Sequence, residues 1–307
     1  MKRYALIALC LTGCMSPLEE FRGAAPAAQT VSLNVPAGAG ASTGSVKEGA
    51  TPEIVGQRAT MFEITRGVTA IVNGGVGVTL LVLEAIVDGQ PTTLTATHAT
   101  WGPYTGALAT TTWKFDVSKV GTSDYSYVLS AKPKSSDDTH YAAIISGDAH
   151  VVSRVVGSGD FVFDFSALHA LDSGNKSQGT ISVHYDNTAS PRVVEVAFKN
   201  FDDGNGSYTP NDALYKYSEN GDRSGSFEFV AKGDIDHDPL GVQETLAIKS
   251  VWLSTGQGKS DVAAGGGSLA VGNATLEECW DTHFGRSYFT DSWNSADTEG
   301  SAASCKP

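Results

Sequence analysis

Two stretches of the chain carry side-chain oxygens at alternate positions, which is the spacing found in calcium-binding loops. The candidate ligands are Asp203, Asn205 and Ser207 in the first stretch, and Asp234, Asp236 and Asp238 in the second. A twelve-residue calcium loop also needs a bidentate glutamate at its last position, where Leu214 and Thr245 stand instead. Turns rich in Asp, Asn and Gly produce such strings without a metal. Calcium is therefore one interpretation and an ordinary turn is the other.

Patterns that would indicate catalysis are incomplete. Residues 40–44 fit the G-x-S-x-G pattern of serine hydrolases, but no strand precedes them, as that motif requires. Residues 256–260 end like a phosphate-binding loop, yet Leu253 stands where the first glycine belongs. The seven histidines show no H-E-x-x-H or paired spacing. The sequence favours a non-catalytic protein without a cofactor, and an enzyme is the least favoured alternative.

The first fourteen residues have the layout of a bacterial export signal. Lys2 and Arg3 form a basic start, and residues 4–11 form an apolar run too short to span a bilayer. Residues 11–14, Leu-Thr-Gly-Cys, resemble the lipobox of bacterial lipoproteins. In that motif small residues precede a cysteine, here Cys14, which is acylated and becomes the new N-terminus.

This resemblance implies a location and an anchor. Residues 1–13 would be the removed signal peptide, and Cys14 would carry palmitate or a similar acyl chain in the cell envelope. Met15, rather than Asp, follows the cysteine, which resembles lipoproteins exported to the outer membrane. The leaflet that holds the anchor stays open. An ordinary cleaved signal peptide with an incidental cysteine is the alternative.

The resemblance also bears on the remaining cysteines. Cys10 falls in the removed leader and Cys14 carries lipid, which leaves Cys279 and Cys305 in an oxidising compartment. We therefore expect a disulfide between these two, which would stabilise the fold by about 3–4 kcal/mol. Free thiols or a metal pair are the less favoured alternatives.

The charge balance limits the possible partners. The chain has 21 Lys and Arg against 34 Asp and Glu, for a net charge of −13. Nucleic acid and electrostatic docking on anionic lipid both need clustered basic residues, so the balance argues against both. The acyl chains are then the expected membrane contact. Another envelope protein or an apolar ligand is the further partner we expect.

The N-terminal half is predicted to contain a tether and a helix. Residues 14–50 are rich in Ala, Gly, Pro, Ser and Thr, which predicts a flexible tether. Apolar or buried-type residues then recur at three- and four-residue spacing, which predicts one long helix; they are Phe62, Thr65, Val68, Val72, Val76, Leu80, Leu83 and Val87. Asn73-Gly74 is instead typical of a hairpin, and the nearly uncharged residues 68–87 leave a membrane span as a third option.

Alternating apolar and polar residues dominate the rest of the chain. The alternation from Thr93 to Val262 predicts about ten antiparallel strands in an up-and-down meander, curved or barrel-like, packed on the helix. The predicted fold class is therefore mainly β with one long helix, over residues 51–265. Residues 266–307 are predicted as a disulfide-closed cap of the same domain. The residues predicted to face the helix are Phe115, Tyr127, Phe163, Val183, Val196 and Phe229.

These expectations describe a lipid-anchored envelope protein with a structural or surface-interaction role. Large aromatic side chains predominate on the predicted inner face, and such side chains fill a small curved sheet. We therefore expect a close-packed core. Carriage of an apolar ligand in a half-barrel cavity is the alternative.

Overall fold

The computed structural model describes residues 16–36, 57–204, 212–233, 242–267, 269, 273–292 and 298–306. Within these residues, fifteen strands form one antiparallel sheet whose order follows the sequence from β1 to β15. The predicted meander is thus confirmed. The sheet order does not pair β1 with β15, so the sheet is open and the barrel-like closure is not found.

The strands vary from two to twelve residues in length. They are β1 Thr93–Leu94, β2 His98–Tyr104, β3 Thr111–Lys119, β4 Asp124–Pro133, β5 Ala142–Ser153, β6 Val156–Asp164, β7 Gln178–Asp186, β8 Arg192–Asp202, β9 Ala213–Glu219, β10 Gly225–Gly233, β11 Glu244–Trp252, β12 Gly258–Gly265, β13 Asn273–Trp280, β14 Arg286–Asp291 and β15 Glu299–Gly300. Both edge strands have only two residues, which limits edge-to-edge pairing with other chains.

The α-helices in the described residues are α1 Pro17–Ala24, α2 Ala28–Val31, α3 Thr60–Asp88 and α4 Phe165–Leu171. Asn73-Gly74, the hairpin alternative, lies inside the 29 residues of α3. Helix α3 begins at Thr60, and residues 57–59 before it are not helical. None of the helices described combines the length and the apolar character that crossing a bilayer requires.

One side of α3 packs on what we call the inner face of the sheet. Its buried stripe comprises Val72, Val76, Leu80, Leu83 and Val87. The six residues predicted to face the helix are also buried, and they share one core cluster with this stripe: Phe115, Tyr127, Phe163, Val183, Val196 and Phe229. The predicted assignment of the inner face is therefore confirmed.

The two ends of α3 lie against distant parts of the sheet. At the N-terminal end, the Ala59 backbone N–H donates to the Phe284 carbonyl, 3.1 Å away, after β13. At the C-terminal end, the Trp101 Nε1–H of β2 donates to the Gly89 carbonyl, 3.1 Å away. The helix therefore connects the two margins of the sheet that no strand pairing joins.

Four aromatic residues of the inner face lie over a glycine on the neighbouring strand. The cross-strand pairs are Tyr127 with Gly147, Tyr185 with Gly159, Trp252 with Gly225, and Trp280 with Gly258. A Cβ atom on any of these glycines would lie between 2.6 and 3.0 Å from the paired ring or phenol oxygen. The glycines are therefore needed for close packing of the rings.

Residues 16–36, predicted as part of a flexible tether, are folded, so that prediction is wrong for this segment. The Ser16 side chain accepts a hydrogen bond from the Glu19 N–H and caps α1, while Pro17 occupies the first turn. Phe21 and Leu33 are buried in the core. The composition predicts a tether because this segment has few apolar residues, but those few pack in the core.

Residues 266–307 are also more regular than the predicted cap, because β13, β14 and β15 extend the same sheet. The alternation is hard to recognise in β13 because one of its inward residues is charged. Glu278 is fully buried between Leu276 and Trp280. Glu278 therefore lies on the inner face of the sheet, although a charged residue would be predicted on the outer face.

The connections between strands differ at the two ends of the sheet. At one end, the short-turn end, they have two to five residues: 95–97, 120–123, 154–155, 187–191, 220–224, 253–257 and 281–285. At the other, the long-loop end, they have six to thirteen: 105–110, 134–141, 165–177, 203–212, 234–243, 266–272 and 292–298. This alternation follows from the meander, since each antiparallel strand returns the chain to the opposite end.

Candidate binding groove

The outer face of β4–β9 forms a groove of about 560 Å³. Small side chains contribute much of its lining, because Ser126, Ser146, Ser182 and Ala197 all stand on this face of the sheet. They occupy the positions that alternate with the buried inner-face residues. Short side chains on neighbouring strands leave space that larger ones would fill.

The groove contains a row of ionisable side chains that crosses four strands. Asp148 pairs with Asp160, Asp160 with His184, and His184 with Glu195. A second row, which we call the apolar row, carries Val128, Val162 and Leu214 together with the small residues Ser146, Ser182 and Ala197. Val162 is 38% and Leu214 43% exposed. The groove thus offers an acidic row beside an apolar one.

The acidic row is not neutralised by basic side chains of the described chain. Asp148 and Asp160 are directly opposed, and like charges at such positions are destabilising. Asp160 accepts a hydrogen bond from His184 Nδ1 at 2.8 Å. Within the described residues, neither Asp148 nor Glu195 forms an ion pair. A cation bound beside Asp148 and Asp160 would offset the repulsion between their like charges, so a cationic occupant is chemically suitable.

Further along the same row, outside the groove, the charges alternate. Glu195 is followed by Lys216, Glu228, Lys249 and Asp261 on β9–β12. Lys249 Nζ lies 2.7 Å from a Glu228 carboxylate oxygen. Asp261 is opposite Glu277 on β13, and Lys259 Nζ lies 3.0 Å from a carboxylate oxygen of Asp261 and 3.6 Å from one of Glu277. Outside the groove, lysine side chains therefore accompany the acidic residues of this row.

A neighbouring row at the margin of the groove adds further negative charge. His150 Nδ1 lies 2.8 Å from Asp124 Oδ1. Hydrogen bonds from the Thr188 hydroxyl and backbone N–H lower the pKa of Asp186 on β7. In the described part of the chain, no serine or cysteine bonds to His150 or to His184 in the groove. The two Asp–His pairs therefore lack the nucleophile of a catalytic triad.

The sequence-predicted calcium ligands are not brought together by the described residues. Asp203 follows β8, and its carbonyl accepts a hydrogen bond from Ser177 Oγ at 3.1 Å. The other candidates, Asn205, Ser207, Asp234, Asp236 and Asp238, lie outside the described residues, as does Cys14. Calcium binding and acylation therefore stay predictions.

The structure joins Cys279 and Cys305 in a disulfide. This bond attaches the C-terminal residues to β13. A carboxylate oxygen of Glu277 lies within 4.8 Å of both sulfur atoms. Because the disulfide uses both thiols, this trio offers no thiolate for a metal ion.

Sequence reasoning did not identify the groove. Its acidic residues are spread over β5–β8, between Asp148 and Glu195, and no local motif connects them. The available signal was a run of outward Ser, Ala, Asp and His positions on successive predicted strands. Only the strand register shows that these positions form one row.

Comparison of the chain with protein-family models, curated proteins and solved structures finds no match. The open shape, acidic row and apolar row of the groove together suit binding of a partner.

Proposed function

We propose that this protein is a non-catalytic lipoprotein of the bacterial cell envelope that binds a basic segment of another envelope protein. The groove on the outer face is the proposed binding surface. The observation that carries the proposal is the opposed pair Asp148 and Asp160, with Glu195 in the same row, in an open groove. Such a row favours a cationic partner and disfavours an anionic one.

The packing of the inner face supports this role over carriage of an apolar ligand. A carrier needs an apolar cavity of about 300 Å³ or more. The six inward residues named above are instead buried in one cluster with α3. Phe115 and Phe163, for example, are only 0% and 8% exposed. The side chains that would have to line a carrier cavity pack against each other.

The chemistry of the groove specifies the kind of segment it would accept. Asp148, Asp160 and Glu195 would pair with Lys or Arg side chains. Val162 and Leu214 would contact apolar side chains of the same segment. A segment that combines both residue types matches both rows, and its affinity should fall with increasing salt because the pairing takes place at the surface.

A peptide experiment tests the groove directly. A fluorescent peptide of alternating Val and Lys should bind the protein at low salt, whereas the matching Val and Glu peptide should not. Replacing two groove carboxylates, Asp148→Asn with Glu195→Gln, should weaken binding at least tenfold. Asp261→Asn is the matched control, because it removes a carboxylate from the same row outside the groove, and it should change affinity less than twofold. Equal binding of both peptides would contradict the proposal.

Photo-crosslinking in intact cells tests the surface in its own environment. Val162 in the groove and Val230 on β10 are matched positions, 38% and 39% exposed. A crosslinking amino acid at Val162 should give a discrete protein adduct that is lost in the groove variant. The same amino acid at Val230 should not give this adduct. Identical adducts from the two positions would argue against the groove.

The proposed anchor rests on the lipobox, residues 11–14. Metabolic labelling with a fatty-acid probe should mark the wild-type protein and not Cys14→Ser. Fractionation of the labelled cells should place the wild type in the outer membrane. Labelling of both proteins would show that Cys14 is not the acylated residue.

A further inference from the structure

We propose that the short-turn end of the sheet faces the lipid bilayer, so that the long-loop end points away from it. This inference rests on the proposed acylation of Cys14. The short-turn end would then contact a lipid surface rather than a protein partner. The length of chain before α1, the position of α1 and the distribution of charge support it.

The connection between the proposed anchor and the folded domain is very short. Only Met15 separates Cys14 from Ser16, the first described residue. Two residues span at most about 7 Å. Because Ser16 caps α1 and α1 packs on the sheet, the acyl chains would hold the domain against the membrane rather than at a distance.

Helix α1 is attached to the short-turn end. The Glu20 carboxylate lies 2.6 Å from Lys119 Nζ and accepts a hydrogen bond of 2.8 Å from the Tyr125 hydroxyl. These two residues flank the 120–123 turn. Farther along, Gly23 adjoins Arg154 in the 154–155 turn. The exposed start of α1 therefore lies beside the first turns of this end.

The two ends of the sheet differ strongly in charge. The seven connections of the short-turn end contain two Asp and two Arg residues. The described residues in the connections of the long-loop end include five Asp and two Lys residues. An anionic bilayer repels acidic segments within about a Debye length. The electrostatic energy is therefore lower when the neutral end faces the lipid.

Exposed apolar side chains also occur at the short-turn end close to α1. Val120 is 66% exposed, and Val152 and Val155 are 56% and 41% exposed. The 120–123 turn is adjacent to the end of β5, which carries Val152 and precedes Val155, because the Val151 N–H donates to the Ser123 carbonyl at 2.8 Å. Such side chains contact the headgroup region of a bilayer at low cost.

Quenching by lipid-attached nitroxide tests this orientation. The acylated protein is reconstituted into vesicles of phosphatidylethanolamine and phosphatidylglycerol that contain nitroxide-labelled lipid. A fluorescent amino acid is placed at Val120 or, as the control, at Leu108, which is 99% exposed in the long-loop connection 105–110. We expect at least threefold stronger quenching at Val120. Inserting a twelve-residue Gly-Ser linker between Met15 and Ser16 should reduce that difference.

The outcomes separate this inference from the proposed anchor. Mass spectrometry of the reconstituted protein first establishes whether Cys14 is acylated. An unmodified Cys14 would overturn the anchor and, with it, the orientation. An acylated protein that is quenched equally at Val120 and Leu108, or more strongly at Leu108, would overturn the orientation alone.

Discussion

The buried ion pair beneath the start of α3 gives the most specific stability prediction. Glu278 and Arg286 are 0% and 2% exposed. The Glu278 carboxylate accepts hydrogen bonds from the Thr60 and Met61 backbone N–H groups at 2.9 and 2.5 Å. It also accepts two from the Arg286 guanidinium, at 2.8 and 2.5 Å. Glu278 therefore caps α3 and compensates a buried cation at once.

Replacing Glu278 by Ala should lower the free energy of unfolding by about 3–5 kcal/mol, because it leaves the Arg286 charge buried without its partner. Burial raises the pKa of Glu278 to about 7, and the backbone N–H groups of Met61, Thr60 and Phe62 limit this rise. The carboxylate thus depends on the start of α3 for its charge. Exposed Glu228, paired with Lys249 on β11, is the control, and Glu228→Gln should cost less than about 1 kcal/mol.

Urea unfolding followed by tryptophan fluorescence measures both effects. A double variant, Glu278→Leu with Arg286→Met, should cost less than the sum of the two single variants, because it removes both charges together. Additive single effects would refute the reasoning that the two side chains act as one buried unit. A loss below about 1 kcal/mol in Glu278→Ala would refute the capping role as well.

Three further stability predictions follow from the fold. Gly258→Ala should lower the free energy of unfolding by about 1–3 kcal/mol, because the added methyl group would clash with the Trp280 ring on β13. Gly74→Ala has open space around it and should stabilise α3 by up to about 1 kcal/mol. Urea midpoints of the two variants that move in the same direction would contradict this. Reducing the Cys279–Cys305 disulfide should lower the melting temperature by several degrees, and an unchanged midpoint would argue against its role. Burial raises the pKa of Tyr185 from 10 to about 12. The contribution of Tyr185 to stability should therefore be constant below about pH 10 and fall by about 3 kcal/mol towards pH 12; a stability difference between the wild type and Tyr185→Phe that does not change over this interval would exclude this.

The sheet could be predicted because its signal is local. Residues such as Phe161 and Phe163 alternate with polar neighbours, and a strand with one buried face requires this pattern. A meander pairs each strand with the next, so strand order needed no long-range information. The inward positions followed directly from the alternation.

The parts that escaped prediction depend on contacts between distant residues. The tether prediction for residues 16–36 rests on composition, although Ser16, Pro17 and Glu19 form a recognisable helix start. Glu278 could not be assigned to the core from sequence, because its partner Arg286 and the start of α3 justify its burial. The groove required the register of six strands.

The position of α3 also constrains the order in which the chain can fold. Strands β1–β15 contact their neighbours in sequence, so most pairing is local and rapid. In contrast, the backbone N–H of Met61 bonds to Glu278, 217 residues later, and that of Asn34 to Tyr217, 183 residues later. The N-terminal segments would therefore wait longest for their partners. A chain that ends before β13 would expose Phe62 at the start of α3, which packs on Trp280 and Phe284, and should aggregate.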